Sequence, residues 1–191
     1  MTSELRPGSG DPPADELAAA DAAWAVLQRV LSGITSDDWS KPTPCSEFDV
    51  ARLTDHLLHS IAVLGGPAGA ELPEPSPTDS PEHRVGPAAR AALDAWRRHG
   101  LDGVVSVGPA EMPARTLVGI LALEFLVHAW DYATATGRTL DGVESLATYV
   151  LGLARTIITP EGRVRAGFDE PVDVGAPASA LQQLIAFTGR S

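Results

Sequence analysis

The segment from Pro113 to Gly137 constrains the fold of this chain most strongly, because it is apolar on nearly every side of a helix. A proline in the first turn and a glycine just past the end are typical helix boundaries. A helix that is apolar all round belongs in the centre of a fold. Its uninterrupted apolar run ends at Glu124, far short of the ~20 residues that a membrane span needs. The segment therefore predicts the core helix of a soluble domain.

Several other segments have the apolar spacing and the boundary residues of helices that would surround this one. Four principal helices with long connections predict an all-α helical bundle, decorated by short extra helices and a small extended segment near the C-terminus. The predicted surrounding helices are 15–31, 50–64, a short helix at 87–99, 142–158 and 178–189. The predicted connections are a proline-rich loop at 65–81, a small hairpin or irregular crossover at 102–113, and an extended segment at 168–174.

Length and composition predict one acidic, cytoplasmic domain. Residues 1–13 are polar and rich in Pro and Gly, so we expect a disordered lead-in, with a single domain over 14–191. The net charge of −11 argues against nucleic-acid and anionic-membrane partners, which attract basic surfaces. The N-terminal residues lack the basic and apolar regions of a signal peptide. A lone cysteine, Cys45, forms no internal disulfide, so no oxidising compartment is implied.

The polar pair Glu124 and His128 within the apolar helix requires a physical explanation. Four residues turn a helix by about 400°, so the two side chains point within about 40° of each other, one turn apart. Burying a carboxylate costs several kcal/mol unless it is paired or bound to a metal. The spacing alone leaves two interpretations open: a hydrogen-bonded Glu–His pair in the core, or two ligands of a metal.

His56 is the best candidate for a third ligand. It lies beside the apolar stripe of the helix 50–64, and two imidazoles with one carboxylate from facing helices would form a three-ligand site with open positions. Zinc suits these ligands best, and nickel or iron fits the same set. His59, one turn further on, would contribute or simply flank the site.

Two other residues are candidates near this site. Asp131, three residues after His128, would either orient a histidine from behind or lie partly exposed near the helix end. Cys45 precedes the His56 helix in a loop that is stiffened by Pro42 and Pro44. Stiff loops more often pack than fold back, so we expect Cys45 to be neither ligand nor nucleophile.

Three strings, taken together and in order, resemble a known family: DDWSKPTPCSEFDVARLTDHLLHSI, LEFLVHAWDYATATGR and VDVGAPASALQQLIAFTGR. They are similar to the actinobacterial DinB/YfiT-like metal-binding proteins, which include the N-terminal domain of mycothiol-dependent maleylpyruvate isomerase. The resemblance implies a DinB-like four-helix bundle with one divalent metal, usually zinc or nickel. The resemblance also implies that the metal ligands in this sequence are His56, Glu124 and His128, and that the cosubstrate is a small thiol such as mycothiol.

The resemblance favours a metal- and thiol-dependent transferase or related metalloenzyme. Isomerase activity itself is not expected, since no segment like the isomerase's substrate domain follows the bundle. Two alternatives stay open at this point. One is a non-catalytic protein that uses the metal to bind or sense a small ligand, and the other is a structural bundle without metal. The partner would be a small-molecule thiol or substrate, and the sequence leaves a homodimer open.

Overall fold

A computed structural model describes residues 10–45, 47–166 and 168–191. The described residues are mostly helical, with one two-stranded sheet, as the predicted helix-rich fold class requires. Of the predicted lead-in at 1–13, residues 1–9 lie outside the described residues. The helices are α1 (Glu16–Leu31), α2 (Val50–Gly65), α3 (Pro81–His99), α4 (Ala114–Ala135), α5 (Glu144–Ile157), α6 (Pro160–Ala166) and α7 (Ala180–Phe187), and the strands are β1 (Val104–Val107) and β2 (Ala110–Pro113).

Side chains fix the starts of four of these helices. At each start a short polar side chain accepts a hydrogen bond from a backbone N–H that the helix itself leaves unpaired. This places α1 and α2 where the sequence predicted them. The capping residues are Asp15, Asp49, Ser80 and Ser179.

The central position predicted for α4 is confirmed. It packs against α1, α2 and α5, while α3 packs against α1 and α2, and α7 packs against α5. By length and composition alone α4 could cross a membrane, but 78% of its most apolar window is buried inside the fold. That burial is expected of a core helix.

The third helix begins earlier than predicted. We expected a short helix from Pro87, but α3 begins at Pro81 and contains Pro87 in its interior. Ser80 caps the helix through the His83 N–H, and Pro81 occupies the first turn, where its missing N–H costs nothing. The Ser-Pro start signal therefore prevails over the loss of one backbone hydrogen bond at Pro87.

The structure defines three segments that lie between the longer helices. The segment predicted as a hairpin or crossover is an antiparallel hairpin of β1 and β2, with Val105 paired to Met112. The short helix α6 was not predicted, because its seven residues are too few to show an apolar period. The segment 168–174 contains no strand among its described residues, and its Val172 N–H donates to the Ala186 carbonyl of α7 at 2.9 Å.

Candidate metal centre

The structure brings His56, Glu124 and His128 together at the contact of α2 with α4. One candidate ligand atom from each residue lies within 4.8 Å of the other two. The Glu124 Oε2 atom is 3.3 Å from His128 Nε2 and 3.7 Å from His56 Nε2. The two imidazole rings meet edge to face, with centroids 5.2 Å apart. Two nitrogens and one oxygen thus converge on one point.

The local sequence explains this convergence. On α4 the one-turn spacing places Glu124 and His128 on the same side of the helix. On α2 the stripe of Leu53, Leu57 and Ile61 is fully buried, and His56 lies at its edge, half-buried. The Phe48 ring stacks on the His56 imidazole with centroids 5.0 Å apart and holds the ring in place.

Glu124 Oε2 is a buried oxygen with no hydrogen-bond partner among the described residues. The His56 nitrogen is too distant for a hydrogen bond at 3.7 Å, and the His128 nitrogen makes only a long ion-pair contact at 3.3 Å. A buried carboxylate oxygen is rarely left unpaired, because the missing hydrogen bond costs 1–3 kcal/mol or more. The donor set of two imidazoles and one carboxylate is one that zinc binds in sites with an open position. These residues therefore fit a divalent metal ion, and without one the Glu124–His128 contact is a long ion pair.

The carboxylates around His128 control the ionisation of the cluster. Burial alone would raise the pKa of Glu124, but the adjacent His128 cation holds that pKa at about 2. Burial alone would lower the pKa of His128, but the carboxylates of Asp131 and Glu124 raise it to about 9. Burial, followed by the positive charge of His128, lowers the pKa of His56. At neutral pH without metal, His128 carries a proton that a metal ion would have to displace.

Asp131 lies behind His128 and is completely buried. Its Oδ2 accepts a hydrogen bond from His128 Nδ1 at 2.9 Å. Because Nδ1 is used as a donor, Nε2 is the nitrogen that faces Glu124 and the candidate metal position. Of the two interpretations of Asp131, the structure shows the buried one, in which the carboxylate orients a histidine.

A cavity of about 430 Å3 opens over the cluster. Its volume is in the range of sites that hold small organic ligands. The three candidate ligands are among its polar lining residues, and Cys45, Ser60 and Arg190 add further polar groups. Much of the remaining wall is apolar and includes Phe48, Ile120, Leu123, Ile157, Ile158 and Phe168.

The loop before α2 reaches this cavity, contrary to our expectation that it would pack away from it. Thr43 explains the difference, because its backbone N–H and its hydroxyl both donate to the Phe48 carbonyl, at 3.1 and 2.8 Å. These bonds close the loop on itself, so Cys45 and Phe48 line the cavity. Cys45 is nevertheless outside the group of three side chains whose atoms converge. Burial raises the pKa of its thiol.

Sequence reasoning found the three convergent residues and missed most of the cavity. His59, named as a contributing or flanking residue, is exposed and is not one of the three that converge. Ser60 lies one turn after His56 and lines the cavity, so the same spacing rule could have found it. Arg190 had no local sequence signal, because it is distant in sequence from both helices.

The chain is similar to one described family and to curated relatives. The sequence profile described as the mycothiol maleylpyruvate isomerase N-terminal domain matches residues 20–133, a span that includes all three convergent side chains. Uncharacterized proteins from two strains of Mycobacterium tuberculosis, CDC 1551 and H37Rv, are each 28% identical over 182 residues. Each alignment covers 93% of this chain and 98% of the relative. No solved structure matches the chain.

Proposed function

This chain belongs to the mycothiol maleylpyruvate isomerase N-terminal domain family, and on that premise we propose that it is a metal- and thiol-dependent enzyme. In this proposal the fold is a DinB-like four-helix bundle in the cytoplasm. His56, Glu124 and His128 bind one divalent ion, zinc first, with nickel or iron as the other metals that suit the ligands. The substrate is a low-molecular-weight thiol such as mycothiol, and the reaction is a thiol transfer.

The unpaired Glu124 Oε2 is the observation that carries the proposal. It is buried, it faces two imidazole nitrogens at 3.3 and 3.7 Å, and it makes no hydrogen bond with any described residue. A core pair that served only stability would be expected to satisfy this oxygen. A cation at the convergence point would satisfy it.

The protein's own residues would hold and shield the site. Asp131 holds the His128 ring so that Nε2 faces the cluster, and Phe48 holds the His56 ring. Ile120 and Leu123 line the same cavity and place apolar surface beside the cluster. A bound divalent ion would supply Lewis acidity that lowers the pKa of a coordinated thiol.

The lining of the cavity suits a small ligand that is partly polar and partly apolar. Its lining combines the candidate ligands with aliphatic and aromatic side chains. A thiol would present its sulfur to the candidate ligands, and an electrophilic cosubstrate would pack on the apolar side chains. The transfer would form a bond between the sulfur and an electrophilic carbon of the cosubstrate while the bond from that carbon to a leaving group breaks. The leaving group would depart with the electron pair of that bond, and the S–H proton would pass to solvent.

Metal content is the first test. Protein purified without an affinity tag or chelators should contain close to one equivalent of a divalent metal by elemental analysis. His128→Ala should remove it, and His59→Ala should retain it, because His59 is exposed and lies outside the cluster. A wild-type protein that neither retains nor binds zinc, nickel or iron would contradict the proposal.

Thiol binding is the second test. The Co2+-substituted protein should gain a sulfur-to-cobalt charge-transfer band in the near ultraviolet when mycothiol is added, and glutathione serves as the comparison thiol. Loss of the thiol in the presence of an electrophile would establish transfer. Binding without turnover of any electrophile in a broad panel would contradict the enzyme assignment and favour a ligand-binding protein.

A further inference from the structure

We propose that Arg190 is a positioning residue of the metal centre, acting on the ligand His128 through Asp131. This inference rests on the proposed function, since it assumes that His128 binds a metal. Arg190 lies after α7 and is distant in sequence from both ligand-bearing helices, yet it lines the cavity over the cluster.

Arg190 holds the Asp131 carboxylate at both oxygens. Its Nε donates to Oδ1 at 2.9 Å and to Oδ2 at 3.2 Å, and its Nη2 donates to Oδ2 at 3.1 Å. Oδ2 is also the oxygen that accepts from His128 Nδ1. The planar guanidinium therefore prevents rotation of the carboxylate that fixes the histidine ring.

The backbone delivers Arg190 to this position through a conformation that requires glycine. Gly189 has a φ of +84°, and a Cβ there would lie 2.7 Å from the Asp169 carbonyl oxygen. The Arg190 N–H then donates to the Ile185 carbonyl at 3.2 Å, which ties the segment to the end of α7. The turn after α7 thus directs the arginine toward Asp131 rather than into solvent.

Another arginine provides a matched comparison for a purely structural role. Arg138 donates from Nη1 to the Val30 carbonyl at 3.1 Å and from Nη2 to the Gly33 carbonyl, so it joins the end of α4 to the end of α1. It contacts neither Asp131 nor the candidate ligands through any hydrogen bond among the described residues. Loss of Arg138 should affect folding stability without changing the metal centre.

The test compares zinc affinity in Arg190→Gln, Arg190→Lys and Arg138→Gln, measured by competition with a chromophoric chelator. We expect Arg190→Gln to weaken binding 10- to 100-fold, the usual effect of losing a group that orients a ligand. Arg190→Lys keeps the charge but cannot make the same two-nitrogen contact, so it should lie between the wild type and Arg190→Gln. Arg138→Gln should bind zinc within about threefold of the wild type while its melting temperature falls.

A measurement on the metal-free protein separates positioning from general damage. The imidazole nitrogens of His128 can be followed by 15N NMR, and Arg190→Gln should shift the Nδ1 signal as its hydrogen bond to Asp131 loosens. Arg138→Gln should leave that signal unchanged. Arg190→Lys, which preserves the buried charge, keeps the comparison possible if Arg190→Gln does not fold.

The outcomes distinguish the two proposals. If the wild type binds no metal, the proposed function fails. If the wild type binds zinc and both Arg190 variants bind it equally well with an unchanged Nδ1 signal, only the role of Arg190 is overturned. If Arg138→Gln weakens zinc binding as much as Arg190→Gln does, the effect reflects stability and the positioning role is likewise overturned.

Discussion

Two neighbouring residues of α4, Phe125 and Glu124, show how differently the two sides of one helix are built. Phe125 is completely buried and meets the Trp24 ring of α1 at a centroid distance of 5.7 Å. Glu124 points toward α2, where its Oε2 is buried without a hydrogen-bond partner among the described residues. One side of the helix satisfies every requirement of a packed core, and the other leaves a polar atom unsatisfied.

The side that faces α1 is built for stability. Small residues of α1, such as Ala19, Ala20 and Ala23, are fully buried, which lets the two helices approach closely. At the start of α4, Arg115 pairs with Glu16 at 2.6 Å. This contact is apolar in its interior and charged at its end, as expected where packing alone is required.

The side that faces α2 carries buried charge and an unsatisfied oxygen, which a stability-driven core would exclude. Asp131 and His128 are both buried, and the arginine that pairs with Asp131 comes from a distant part of the chain. Buried ionic groups contribute little to net stability, because desolvation offsets their attraction. The proposed binding function therefore rests on this side of α4, and four predictions test the difference between the two sides.

The largest expected effect is a loss of stability from a substitution on the side of α4 that faces α1. Phe125→Ala should lower the free energy of unfolding by about 3–5 kcal/mol, because it leaves a cavity against Trp24. Zinc affinity of the folded variant should stay within a few-fold of the wild type. Urea unfolding and chelator competition measure the two quantities, with the exposed Val63→Ala as the control. A loss of affinity as large as that of a ligand variant would show that the two sides are not separable.

A substitution on the side of α4 that faces α2 should affect zinc binding more than stability. Glu124→Ala should weaken zinc binding more than 100-fold, or about 2.7 kcal/mol, since it removes one of three ligands. Its metal-free stability should change less than that of Phe125→Ala, because the variant also removes the desolvation cost of a buried carboxylate and leaves His128 paired with Asp131. Glu111→Ala, at an exposed position in β2, is the matched control. Stoichiometric zinc in Glu124→Ala would refute the ligand assignment.

The stability of the metal-free protein and its affinity for zinc should change in opposite directions as the pH rises. The pKa of His128 is about 9 in the fold and near 6.5 when unfolded, so the metal-free protein has this stabilisation below pH 6.5 and loses it as the pH rises through 9. Zinc affinity should rise over the same range, because the proton on His128 competes with the metal. Denaturation and zinc titrations between pH 6 and 9 test both signs. A zinc affinity that did not change over this range would contradict a histidine-based site.

The smallest effect should come from the loop that covers the cavity. Cys45→Ser should retain full zinc stoichiometry and lose on the order of 1 kcal/mol of stability, since a hydroxyl replaces a small apolar thiol. Metal analysis and the melting temperature, measured on the same sample, test it. Loss of zinc with an unchanged melting temperature would mean that the cluster has a fourth protein ligand.

Local signals predicted much of the helical framework and the convergent residues. Asp15 and Asp49 start α1 and α2 as capping residues, and the Leu53, Leu57 and Ile61 stripe of α2 is buried as its spacing required. Glu124 and His128 could be found because a charge in an apolar helix is conspicuous. Two features were not predicted. Helix α6 is too short to show an apolar period, and the start of α3 at Pro81 was missed because Pro87 was taken as the first residue of that helix.

The sequence by itself determined the positions of most helices, the central place of α4 and the chemistry of its polar pair, because helix caps and apolar period are local properties of the chain. Only the tertiary structure decided what surrounds that pair. The closed loop that brings Phe48 onto His56, and the turn at Gly189 that brings Arg190 onto Asp131, join residues from separate parts of the chain. Such contacts depend on how helices pack and where loops close, and no local spacing in the sequence encodes them.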